Sequence, residues 1–140
     1  LCATWRSLRF ENRKEMNFMQ RQGAFREAVL RYAKESFDSE PEYLWAKFPG
    51  YAVLRHAGRG RWYAVVMNVP RPRLGLPGEG TADILDVRCD PILIGSLRDG
   101  ERYLPAYHMN KDRWITVVLD GSVPEEEVFP LLDMSFGLTK

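Results

Sequence analysis

Apolar and polar residues alternate differently in different parts of the chain, and the changes mark the elements. From Gly23 onward, Phe25, Ala28, Val29, Tyr32, Ala33 and Ser36 recur at helical intervals, while Arg26, Glu27, Arg31, Lys34 and Glu35 fill the other side. That spacing predicts one amphipathic helix over residues 23–37. In DSEPEYLW, Asp38 or Ser39 can cap a short turn with Pro41 near its start, and Pro49-Gly50 ends the segment. Two apolar runs follow, Tyr51–His56 and Trp62–Asn68, joined by AGRGR. Two glycines in so short a connection suit a hairpin, because Gly accepts positive φ without a steric penalty. VPRPRLGLPGEG holds three Pro and three Gly and reads as a long loop.

Beyond that loop, Ala82–Cys89 reads as a third strand. DPILIGSLRDGE has Asp90 as a cap, Pro91 in the first position and Gly100 just past the end of a short helix. RYLPAYHMN is extended or irregular, and Trp114–Leu119 is the clearest strand of all. Asp120-Gly121 ends it. Ser122 and Glu125 fit a capping box. Val128, Leu131, Leu132, Ser135 and Phe136 then form a helical face. Pro130 inside that face predicts a kink or a delayed helix start. The order helix, strands, short helix, strands, helix predicts an α+β domain: two layers, an antiparallel sheet covered on one face by the N- and C-terminal helices.

Length and composition agree with one domain. The chain has 140 residues, 45% hydrophobic and 28% charged, enough to bury a core without staples. Residues 1–22 carry a net +3 and the remaining chain a net −2, so the patterned part is not a basic domain. That weighs against nucleic acid before any motif is read. Cys2 and Cys89 form no CxxC pair, and two Cys with two His cannot close a four-ligand zinc site. A reducing, cytoplasmic setting follows from that cysteine usage. The longest apolar run, Trp62–Met67, is far short of a membrane span.

Residues 1–18 show no clean period. Of three readings (a helical arm, the tail of a preceding domain, or upstream sequence before a start at Met19), the last is slightly favoured, because RKEM can be encoded by a purine-rich run ahead of Met19. The intact mass of the natively expressed protein tests it; a chain beginning well before Met19 is the contrary result.

His108, Asn110, Lys111, Trp114, Asp120, Gly121, Ser135 and Phe136 make up a C-terminal signature that resembles the MmcQ/YjbR family of small bacterial proteins. EPEYLWAKFPGYAVLRH, WYAVVMNVPRPRLGL and DILDVRCDPILIGS are also similar to that family, so the resemblance spans about Met19 to Thr139. It implies a frataxin-like (CyaY-like) fold and, as suggested for the family, DNA binding through two wing-like loops. It does not extend to frataxin's iron-binding acidic ridge, because the first helix here carries three basic groups and two acidic ones in REAVLRYAKES.

Two sets of residues are candidates for function. Arg55, Arg59 and Arg61 surround the first hairpin, and Arg71 and Arg73 follow the second strand. These would be the wings, holding DNA phosphates roughly 20 Å apart at about 3.3 Å per residue. Solvated arginines keeping loops soluble explain them equally well. Tyr107, His108, Asn110, Lys111 and Trp114 are the second set, a site for a small anionic ligand or a reaction. The plainer account is that Asn110 and Asp112 turn the chain while Trp114 anchors a strand. A third possibility is a protein-interaction surface on an open sheet face, with Trp114, Thr116 and Val118 on one side and Ile115, Val117 and Leu119 on the other. No nucleophile stands beside either set, so no catalytic residue, metal or cofactor is assigned. The leading reading is non-catalytic binding, with DNA as the named partner. Oligomeric state is not encoded in any of these patterns.

Overall fold

The structure, a computed structural model, describes residues 23–140. The expected extension over residues 1–18 lies outside them. Helix α1 runs over residues 23–37. Five strands follow: β1 (Ala52–Arg55), β2 (Trp62–Pro70), β3 (Thr81–Arg88), β4 (Tyr103–Pro105) and β5 (Trp114–Val118). They form one antiparallel sheet in the order β1-β2-β3-β5-β4. Helix α2 (Pro91–Leu97) lies between β3 and β4, and α3 (Glu125–Leu138) closes the chain. The fold is α+β, as the element order predicts.

Val29 and Ala33 of α1 and Val128, Leu131 and Leu132 of α3 share one buried cluster with Leu54, Leu85, Val87, Ile115, Val117 and Leu119. Both helices therefore cover the same face of the sheet. Stacked rings tighten this layer: Phe37 on Phe136 at 4.1 Å and Tyr32 on Phe129 at 4.2 Å.

Several local expectations need correction. Pro124, in extended conformation, precedes α3, and no side chain caps it. Ser122 instead turns back on Asp120, whose carboxylate accepts from the Ser122 N–H at 2.9 Å and from its hydroxyl. A Pro at 124 leaves the first turn one fewer donor to cap. Helix α3 starts on time and runs through Pro130. In α2, Asp90 does cap, accepting from the Ile92 N–H at 2.9 Å, but the helix stops at Leu97 with Arg98 extended, ahead of Gly100. The loop after β2 begins with a 3-10 turn, Arg71–Leu74. The β1–β2 hairpin uses positive φ at Gly58 and Arg59, whereas Gly60 is needed for space: a Cβ there would stand 2.5 Å from that of His56.

The face away from the helices is not open. Every residue of β5 is buried. Val53, Val65, Met67, Val69 and Ile84 make a second cluster there, and Leu76, Ala82, Leu104 and Val118 a third. Loops supply the cover: Leu74 and Tyr107 pack on the second cluster. An interaction surface made of a bare sheet face is thus excluded.

One irregularity decides what this second face presents. Leu54 pairs with Ala64 but Arg55 pairs with Trp62, so Tyr63 is an extra residue in β2. This β-bulge turns both Tyr63 and Ala64 toward the helices. It re-aims Trp62, by one residue of register, into the second face. The bulge also breaks the β2–β3 ladder, which ends at Ala64–Val87. Ser135 of α3 fills the gap. Its hydroxyl donates to the Tyr63 carbonyl and accepts from the Arg88 N–H at 2.9 Å. The Ser-aromatic pair of the sequence signature therefore has a structural role. Ser135 satisfies the bulge, and Phe136 packs against the Tyr63 ring edge-on at 5.1 Å.

Candidate functional site: an aromatic cleft on the loop-covered face

The segment between α1 and β1 is pinned at several points. Glu42 makes an isolated bridge with Val53, N–H to carbonyl at 2.9 and 2.8 Å. Arg26 of α1 donates to the Gly50 carbonyl. Arg55 holds Glu42 with its Nε 2.6 Å from Oε2. Between the pins, Tyr43, Leu44, Trp45 and Phe48 stand exposed. Large apolar side chains concentrated on one pinned segment mark a lip rather than chance exposure.

That lip faces the second sheet face across a cleft of about 290 Å³. Trp45, Phe48, Tyr51, Trp62 and Tyr107 wall it, Val65 and Met67 floor it, and Arg73 and His108 are its basic members. The rings brace one another. Trp45 meets Trp62 edge-on at 5.8 Å and Tyr51 at 6.1 Å, and Phe48 stacks on Tyr51 at 4.7 Å. Burial pushes the Tyr51 phenol above its ordinary value, with Arg73 acting in the opposite sense. The guanidinium is thus close enough to be felt inside the cleft.

Arg73, Tyr107 and His108 also line an adjoining depression of about 380 Å³, together with Lys111 and the backbone around Gly75 and Ala106. The two hollows share this partition. His108 adopts a left-handed backbone conformation, φ 60°, which a non-glycine residue holds only when its surroundings demand it. Its ring lies 4.0 Å from that of Tyr107. Lys111 Nζ donates to the Ala106 carbonyl at 3.2 Å, drawing the turn closed.

Beneath the partition lies Asp86, in the middle of the central strand β3 and fully buried. Its Oδ1 accepts from the Thr116 hydroxyl, which in turn accepts from the Tyr107 N–H at 2.9 Å. Its Oδ2 has no partner. Burial pushes the carboxyl up to about 7, while Thr116, Lys111 and the Tyr107 amide pull the other way.

The sequence-derived candidates therefore divide. Tyr107, His108 and Lys111 converge with Arg73. Asn110 does not join them: its carboxamide accepts from the Asp112 N–H at 2.8 Å and its carbonyl from the Trp114 N–H at 2.9 Å, so it builds the turn. Trp114 is buried as a strand residue and lines neither hollow. Arg55, half-buried, is paired with Glu42. Arg59 and Arg61 lie exposed at the hairpin, and Arg71 sits beside Gly78 in the other loop. The five arginines form no single patch. Sequence reasoning missed Trp45, Phe48, Tyr51, Trp62 and Asp86. Only Asp86 left a signal, as one of two acids in the apolar strand ADILDV.

Fold and site together define a two-layer α+β domain with a ring-lined pocket on its loop-covered face. The family model for YjbR matches residues 35–138, and the chain belongs to that family. It is 45% identical over 115 residues to the uncharacterized protein YyaQ of Bacillus subtilis, covering 82% of this chain and 98% of that protein. A crystal structure of a Pseudomonas syringae protein superposes with a TM-score of 0.79 at 42% identity, covering 82% of this chain and 98% of the other. A Deinococcus radiodurans protein gives a TM-score of 0.62 at 26% identity, covering 80% and 75%. The names of these relatives state no activity. No helix among the described residues is long and apolar enough to cross a membrane.

Proposed function

We propose that this protein is a non-catalytic binder of a small organic ligand whose ring-bearing body fills the aromatic cleft, with Arg73 and His108 favouring an anion over a cation. The observation that carries the reading is the convergence of five aromatic side chains around an apolar floor, four of them held at ring distances of 4.7 to 6.1 Å between the pinned segment and β2. Its volume is at the small end for ligand sites, which suits a one- or two-ring molecule. Cytoplasmic residence and a frataxin-like form of the fold belong to the same reading, the first resting on cysteine usage and the second on the family resemblance.

The test is calorimetric titration of the full chain with naphthalene- and indole-type compounds, alongside Trp45→Ala and Trp62→Ala variants. Saturable binding that either substitution weakens at least tenfold supports the proposal. No binding by any ring compound at millimolar concentration overturns it.

DNA binding is the second reading, favoured by Arg59 and Arg61, which are exposed without an ion-pair partner among the described residues. Wings at opposite ends of β2 would grip phosphates independently. Binding to random duplex should then fall steeply with salt, and removing either arginine should flatten that slope by about one unit. Binding unchanged after neutralising Arg59, Arg61, Arg71 and Arg73 together would remove it.

A further inference from the structure

The depression beside the cleft has a different chemistry. Arg73, His108 and Lys111 line it, and no carboxylate does so among the described residues. It shares the Arg73–Tyr107–His108 partition with the aromatic cleft, so the two lie side by side. A buried negative group, Asp86, lies under the partition and is joined to it through Thr116 and the Tyr107 amide. We propose that this second hollow seats the acid group of an aromatic alkanoic acid whose ring lies in the cleft, and that Asp86 sets the charge preference, the anion entering as Asp86 takes up a proton.

The inference rests on the cleft reading above and adds to it. Lys111 already leans on Asp86 electrostatically, so an incoming carboxylate and an ionised Asp86 compete for one cation. Asp86 has no second donor to fall back on, because its Oδ2 is unpartnered in a buried site. Neighbouring strands offer nothing charged: Val65 lies opposite it on β2 and Thr116 on β5. Lys111 from the turn before β5 and the Tyr107 amide bear on it, and His108 and Arg73 stand in the partition beside them. By linkage, a ligand that brings a proton binds up to tenfold more weakly for each pH unit above the carboxyl's range.

The experiment is calorimetry of the full chain with 1-naphthaleneacetic acid and with the neutral 2-(1-naphthyl)ethanol, from pH 6 to 8. Proton uptake is read from buffers of different ionisation enthalpy. The acid should bind more tightly than the alcohol at pH 6 and lose about tenfold by pH 8, while the alcohol stays constant. Lys111→Gln should erase the acid's advantage. His108→Gln should keep the pH dependence and the proton uptake, and Asp86→Asn should abolish both and hold the acid at pH 8 as wild type does at pH 6. Equal binding of acid and alcohol overturns the acid seat while leaving the cleft reading intact. Binding of neither overturns both. Loss of proton uptake in His108→Gln transfers the role from Asp86 to His108 and overturns this assignment without needing a folded Asp86 variant.

Discussion

On the helix side of the sheet, Leu54, Leu85, Ile115 and Leu119 are packed by two helices whose own backbones are satisfied internally. On the other side, Val65, Met67 and Ile84 are covered by loops that must be tied down one contact at a time. Arg26, Arg55, Lys111 and Thr116 make those ties. Helices fill a layer completely, since their side chains project at close, regular intervals. Loops bridge it unevenly and leave hollows. The helix layer accordingly packs closely, and the loop layer holds the cleft.

That contrast can be broken at four places. The largest effect belongs to the helix layer: Leu132→Ala, at a fully buried position, should cost about 2–5 kcal/mol in urea unfolding. A loss below about 1 kcal/mol would mean that the helices are not the main support.

Asp86→Asn tests the loop layer's buried charge. The folded carboxyl sits at about 7 against an ordinary 3.8, so between those values the unfolded chain has ionised while the native one has not. The group's contribution is therefore best at acid pH, falls as pH rises to about 7, and is level above. At pH 8 the variant should be more stable than wild type by up to about 4 kcal/mol, and the slope between pH 4 and 7 should flatten. A destabilised variant at pH 8 with an unchanged slope would show Asp86 ionised and paired throughout.

Ser135→Ala should cost about 1–3 kcal/mol, since it strands a buried N–H and a carbonyl at the bulge. Thermal unfolding reads it. The smallest stability effect is expected from Trp45→Ala on the lip, under about 1 kcal/mol, with ring binding in the cleft lost all the same. A large destabilisation there would make the lip part of the core rather than a wall of a site.

The elements were legible because each carries its own periodicity: α1, β3, β5 and the body of α3 fall where the apolar spacing puts them. The cleft was not, for reasons of register and of distance along the chain. Trp62 opens an apolar run whose alternation, taken at face value, sends it toward the helices; the extra residue at Tyr63 reverses that, and nothing in WYAVVM announces it. Trp45 and Tyr107 lie 62 positions apart in sequence and meet only because their segments fold over one sheet face. The signature around His108 was readable as important, but its members do two jobs. Asn110 and Trp114 shape the turn and strand that carry His108 and Lys111 to the hollow. A sequence motif records that the residues are needed together, not that they touch the same thing.

The bulge bound by Ser135 carries a consequence for how such proteins diverge. Its hydroxyl lies in the helix layer, yet what it secures is the orientation of an indole on the far side of the sheet. A chain that lost the serine would gain from straightening β2, and a straightened β2 has no use for a tryptophan at its first position. Among relatives, the two residues should therefore be kept or exchanged as a pair, although they share neither a face nor a neighbourhood in sequence. Swapping one between two divergent relatives without the other should impair the recipient, and moving both should restore it.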